Sequence, residues 1–258
     1  MTEKKTSLAY KIIRGLVKLF YRKIEVEGVE NLPDEPSIIV GNHSKMNGPI
    51  SCELYFPGYH YIWCSGEMMH LKEVPAYAYR DFCAEKPPCI RWIYKIGSYL
   101  IAPLSVCVFR NANAIGVYHD MRIISTFKET VKKMQDGANV IVFPEHDQPH
   151  NHIVNDFQDR FVDTAKLYYK KTGKEPCFVP LYLAPNLNRM YIGKPIRFSA
   201  QADMEQERRR ICNYLMAEIT DMACALPEHV VIPYNNVTKK HHTTNLPKEV
   251  TPSAKTHG

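Results

Sequence analysis

Hydrophobic positions along this chain fall into short blocks, and the period of each block predicts its structure. Residues 7–22, SLAYKIIRGLVKLFYR, repeat at helical spacing. At 100° per residue Lys11, Arg14, Lys18 and Arg22 share a sector about 80° wide, with Leu8, Ile12, Leu16, Leu19 and Phe20 opposite. KIEVEGV reads as a strand, and residues 31–36 as a turn-rich break. SIIVGN (37–42) is too short for a helix and rich in β-branched residues, so it predicts a buried strand. A helix is expected to begin just after His43. Strands are expected over 59–64, 105–109 (SVCVF), 139–143 (NVIVF) and 177–183 (CFVPLYL), with a short one at RMYIG. Helical periodicity covers 74–84, 90–100, 121–135, 157–171 and 203–225, with Gly137 and Gly173 as stop signals. Strands alternate with helices, and several strands are apolar throughout. The expected fold is α/β, a mostly parallel central sheet covered by helices on both sides, preceded by an amphipathic helix. The expected organisation is a basic surface helix over 1–24, an α/β domain over 25–232 and a disordered polar tail over 233–258.

Composition is compatible with one sizeable core, since 45% of the 258 residues are hydrophobic and 23% charged. Charge placement says more than the net value of +6. Seven cations against Glu3 give the first 24 residues +6, and four against Glu249 give residues 233–258 +3, leaving the body at −3. A body without a basic excess argues against a nucleic-acid partner. The basic helix instead has the form that lies in an anionic membrane surface, and a peripheral position on the cytoplasmic face is expected. The eight cysteines are scattered, with no CxxC pair, as expected of reduced thiols in a cytosolic protein. The most apolar longer stretch, 96–109, reads as too short to span a bilayer and as broken by Gly97 and Pro103.

Ligands of open α/β sheets bind beyond the carboxyl ends of the strands. Three of the expected strands end in reactive groups: SIIV in Asn42 and His43, SVCVF in Arg110, NVIVF in Pro144 and Glu145. If those strands are parallel neighbours, one edge gathers a base, a cation and a carboxylate.

In this order NHSKMNGP, CVFRN, VIVFPE and CFVPLYL resemble the four blocks of the PlsC-like glycerolipid acyltransferases, over residues 38–195. The resemblance implies transfer of an acyl chain from acyl-CoA or acyl-carrier protein, as co-substrate, to the hydroxyl of a glycerol phosphate or lysophospholipid. It implies His43 as general base, with Arg110 and Glu145 holding the phosphate-bearing acceptor and Pro144 beside them. No bound cofactor or metal is implied. The chain departs from the family pattern at Gly48, where the family has Asp, and at His146 and Asp147, where it has Gly and Thr or Ser. Asn47 is the nearest polar group to the missing carboxylate and could orient the imidazole without charge. Two other readings compete: a lipid-binding or scaffold member of the same fold with impaired chemistry, and a metal-dependent hydrolase using Glu145, His146, Asp147, His150 and His152.

Overall fold

A computed structural model describes residues 6–82, 87–234 and 242–246. The helices are α1 (Leu8–Phe20), α2 (Asn47–Tyr55), α3 (Val74–Phe82), α4 (Pro88–Asn111), α5 (Ile123–Gln135), α6 (Asp163–Thr172) and α7 (Met204–Cys224). The strands are β1 (Glu25–Glu27), β2 (Ile38–Gly41), β3 (His60–Ser65), β4 (Ala114–Val117), β5 (Asn139–Val142), β6 (Glu145–Pro149), β7 (Asn155–Phe157), β8 (Cys177–Ala184), β9 (Arg189–Ile192) and β10 (Ile196–Arg197).

The main sheet runs β1-β9-β8-β2-β5-β3-β4, with β10 also on β8. From β8 through β4 every neighbouring pair is parallel, while β9 and β10 meet β8 antiparallel. This is the mostly parallel α/β sheet that the block pattern predicts. β2 and β8 are buried at every residue, which explains their uninterrupted apolar character. Alternate residues serve opposite faces. Val40, Val140 and Phe178 pack under α5, α6 and α7, whereas Ile39, Ile141 and Leu181 pack with Cys52 of α2.

Four expectations are corrected. Residues 105–109 are not a strand: they lie in the last turns of α4, which runs on through Gly97 and Pro103. Local β propensity is a weak prior, and the strand that pairs with β3 is AIGV, β4, a few residues later. Helix α4 is also not too short or broken; Cys89–Asn111 is long and apolar enough to cross a membrane. The stretch 157–171 divides into the end of β7, a 3-10 turn at Asp159–Val162 and α6. Finally, part of the expected tail is ordered. Asn245 is buried, accepting from His229 N–H (2.8 Å) and donating to Ala223 O (2.8 Å). The remaining tail, 235–241 and 247–258, lies outside the described residues.

Helix α1 is moored by its polar groups. Ser7 caps it, Tyr10 and Arg14 both donate to Glu53 of α2, and Ser7 N–H donates to Asn111 at the end of α4. Tyr10 is its buried residue, while Leu8, Ile12, Leu16, Leu19 and Phe20 are all exposed. A helix packed on a soluble core does the reverse.

Candidate active site

Strands β2 and β5 are adjacent and parallel, with Val40 opposite Val142, so their carboxyl ends open side by side. At the end of β2 the Asn42 side chain is buried and extends the ladder: its amide accepts from Leu183 N–H (2.7 Å) and donates to Leu183 O (3.1 Å). The chain then turns sharply. Ser44 and Lys45 both adopt left-handed backbone (φ 49 and 56), a costly conformation for non-glycine residues that tends to occur at functional sites. Helix α2 therefore starts at Asn47, not just after His43.

Glu145 leaves the end of β5, is 4% exposed, and ties this turn in place. Its Oε1 accepts the His43 backbone N–H at 2.6 Å, and its Oε2 accepts the Asn155 N–H of β7 at 3.0 Å. Burial pushes its carboxyl above the usual range, and the two backbone donors resist that shift.

The His43 imidazole sits edge-on between Phe143 (5.4 Å between centroids) and Tyr234 (5.5 Å). Burial lowers its pKa from 6.5, with the Lys45 backbone opposing weakly, so the ring is neutral at pH 7. Its Nδ1 and the neighbouring Ser44 Oγ are both buried without a hydrogen-bond partner of ordinary geometry. Buried polar atoms are rarely left so, and of the two residues His43 lines the cavity described next.

His43, Pro144 and Glu145 line one cavity of about 690 Å³. One part of its wall is aromatic, from Trp63, Phe127, Phe143, Phe161 and Tyr234, another part is polar, and Arg160 supplies a cation. Of the three aspartates that line it, Asp163 pairs with Arg208 and Asp120 with Arg122, and Asp159 precedes Arg160 in the chain.

Two expected site residues are not brought here. Arg110 ends α4 rather than a strand, does not line the cavity, and its Nε donates to Met69 O at 2.9 Å. Asn47 turns away from the imidazole: its Oδ1 accepts from Tyr21 (3.1 Å) and its amide donates to Ser44 O (2.9 Å). Gly48, the position where the resemblance led one to look for a carboxylate, has no room for a side chain. A Cβ on Gly48 would stand 2.6 Å from His43 O and 2.9 Å from Phe143 Cε1. The backbone itself fills the place of that side chain.

The 145–152 cluster does not converge. It forms the hairpin β6–β7, whose side chains point alternately to opposite faces. Glu145 is turned to His43, His146 lies 3.8 Å from Asp156, and His152 Nε2 meets Asn245 O at 3.0 Å. Among the described residues no group of three or more His, Cys, Asp or Glu could hold a metal ion. The hydrolase reading, which needs that cluster, is withdrawn.

Sequence reasoning missed Tyr234 and Arg160. Nothing in the local pattern marked either.

No family model matches the chain, and no curated protein matches it. Among solved structures the chain is similar to the crystal structure of the 1-acyl-sn-glycerophosphate (LPA) acyltransferase PlsC from Thermotoga maritima. The identity is 20%, the alignment covers 84% of this chain and 81% of that one, and the TM-score is 0.49. At that distance the functional reading rests on this chain's own residues.

Proposed function

We propose that the protein transfers an acyl chain from a thioester, acyl-CoA or acyl-carrier protein, to the hydroxyl of a lysophospholipid or glycerol phosphate, with His43 as general base. The observation that carries this reading is the meeting of His43 and Glu145 at the floor of one partly aromatic cavity. These are the two residues that the blocks NHSKMNGP and VIVFPE single out. A neutral imidazole can take the proton of the acceptor hydroxyl as that oxygen attacks the thioester carbonyl. The C–S bond then breaks, and the imidazolium returns the proton to the departing thiolate. Glu145 acts through the backbone, holding the left-handed turn that aims the ring. The apolar wall suits an acyl chain, and Arg160 takes the place proposed for Arg110 as the cation facing an anionic head group. Such substrates are amphiphiles, and the exposed apolar side of α1 supports encounter at a membrane, on its cytoplasmic face.

The test is incubation with labelled acyl-CoA or acyl-carrier protein and a panel of lysolipids and glycerol phosphate. A labelled diacyl or monoacyl product is expected, with better turnover of phosphorylated acceptors than neutral ones. Arg160→Ala should raise KM for the phosphorylated acceptors selectively.

One observation favours a second reading. The imidazole has no carboxylate partner on Nδ1, and Gly48 leaves no room for one. Loss of such a partner can cost about 10⁴ in rate. On this reading the cavity binds lysolipid without turning it over. Saturable lysolipid binding with no labelled product from any donor would establish it and end the first.

A further inference from the structure

We propose that α4 lies in the plane of an anionic bilayer beside α1, and that this pair of helices, rather than α1 alone, forms the membrane-bound face. The proposal does not depend on acyl transfer. Its first ground is that α4 is inverted. The residues that it turns to the body are Ser98 (4% exposed), Ala102 (2%) and Ser105 (6%), spaced i, i+4, i+7 along one stripe. The residues it presents outward include Trp92 (62%), Tyr99 (61%) and Leu100 (76%), with Ile93, Ile96 and Leu104 also exposed. A contiguous apolar surface of this kind on a folded protein marks an interaction site.

The charge around that surface selects the occupant. Helices α1 and α4 carry six basic residues between them, Lys11, Arg14, Lys18, Arg91, Lys95 and Arg110, of which Arg14 pairs with Glu53 of α2, and no acidic one. Anionic lipid complements such a face, whereas a second copy of it would bring cations against cations. Trp92 and Tyr99 are the residue types enriched where headgroups meet acyl chains.

The geometry also decides between lying and spanning. By length and composition α4 could cross a bilayer. Its buried stripe, however, rests on the body, and its final turns are tied down. Ser105 Oγ donates to Met68 O (3.1 Å), Arg110 Nε to Met69 O (2.9 Å), and Asn111 Oδ1 accepts from Ser7 N–H (2.9 Å). The last contact joins the start of α1 to the end of α4, so the two helices are moored to each other as well as to the body.

The experiment uses the full chain with vesicles of phosphatidylcholine alone or mixed with phosphatidylglycerol. The emission of Trp92 is isolated as the difference between the wild type and Trp92→Phe. On binding it should shift to the blue and be quenched by brominated acyl chains. A combined Ile93→Ser, Ile96→Ser, Leu100→Ser variant changes only exposed positions, and its melting should match wild type. It should lose roughly a hundredfold or more in partitioning to mixed vesicles. A Lys11→Glu, Lys18→Glu variant should lose the salt-sensitive part of binding and keep the Trp92 signal at high lipid. Unchanged Trp92 emission in vesicle-bound protein would overturn the proposal and leave α1 as the sole contact. So would a serine variant that binds vesicles like wild type. A lipid-free dimer abolished by the serine substitutions, with vesicle binding unaffected, would assign the face to a second copy instead. No outcome relies on acyl transfer, so failure here is separate from failure of that reading.

Discussion

The two sides of the cavity are built differently. On one side β2 and β5, in the middle of the sheet, deliver His43 and Glu145 within a hydrogen bond of each other. On the other, β3 and the edge strand β4 are joined by α3 and α4, and the chain spends 48 residues, 66–113, between them. The central pair is fixed by ladders on both flanks and by burial of every residue of β2 and all but Asn139 of β5, so few arrangements satisfy it. The edge pair carries an excursion in which α4 turns Trp92, Ile93, Ile96, Tyr99, Leu100 and Leu104 outward rather than into the core. The proposed chemistry falls where the packing is over-determined, and the proposed membrane surface where it is not.

That contrast predicts a graded response to substitution. The largest effect should come from Glu145→Ala, which removes the carboxylate's bond to the His43 N–H beyond β2 and its bond to the Asn155 N–H of β7. Bonds to a charged group contribute about 1.5–3 kcal/mol each. Loss of the buried charge offsets part of this, so a net destabilisation of about 2 kcal/mol is expected, with at least about a hundredfold loss of transfer. Thermal melting and initial rates check it, and wild-type activity would show that the turn does not need its tie. Next is Gly48→Asp. Placing a carboxylate here should not help, because its Cβ has no space. Overpacking here should cost about 1–3 kcal/mol and displace His43; a stable, faster variant would refute the steric explanation.

A smaller effect concerns pH. Burial lowers the His43 pKa, so transfer should persist below pH 6.5 and fail only at more acid values. Because the unfolded imidazole binds its proton near pH 6.5, this residue's contribution makes stability fall as pH drops through that value. Tyr234→Ala, by opening the ring to water, should move the acid limb of the rate profile up toward 6.5. An unmoved limb would mean that Tyr234 does not shield the base. Smallest of all, Arg110→Ala should leave transfer within about twofold of wild type, since exposed positions away from a site rarely matter. A selective loss with phosphorylated acceptors would restore Arg110 to the site and erase the contrast between the two sides.

The same contrast explains what the sequence revealed. SIIVGNH and NVIVFPE were legible because buried central strands have to be short, apolar and β-branched, and the residue after each has one place to go. The joining of His43 to Glu145 followed from supposing the two strands parallel neighbours. SVCVF failed as a strand because the same residues serve equally well on a helix that faces outward. Only tertiary context separates the two, and the quieter AIGV took the edge position. Gly48 could be seen to lack a carboxylate, but not that backbone from His43 and the ring of Phe143 fill its space. Tyr234 lay beyond reach because its contact with His43 spans 191 positions of sequence, with no local pattern to announce it.

The central claim is that His43 removes the proton from an acceptor hydroxyl. The most direct measurement compares initial rates of label transfer from acyl thioester to lysolipid for wild type and His43→Ala, at matched melting temperature and lysolipid affinity. The account predicts a fall of about 10²–10⁴-fold for the variant with binding retained. A folded His43→Ala protein that transfers within about threefold of the wild-type rate would contradict it.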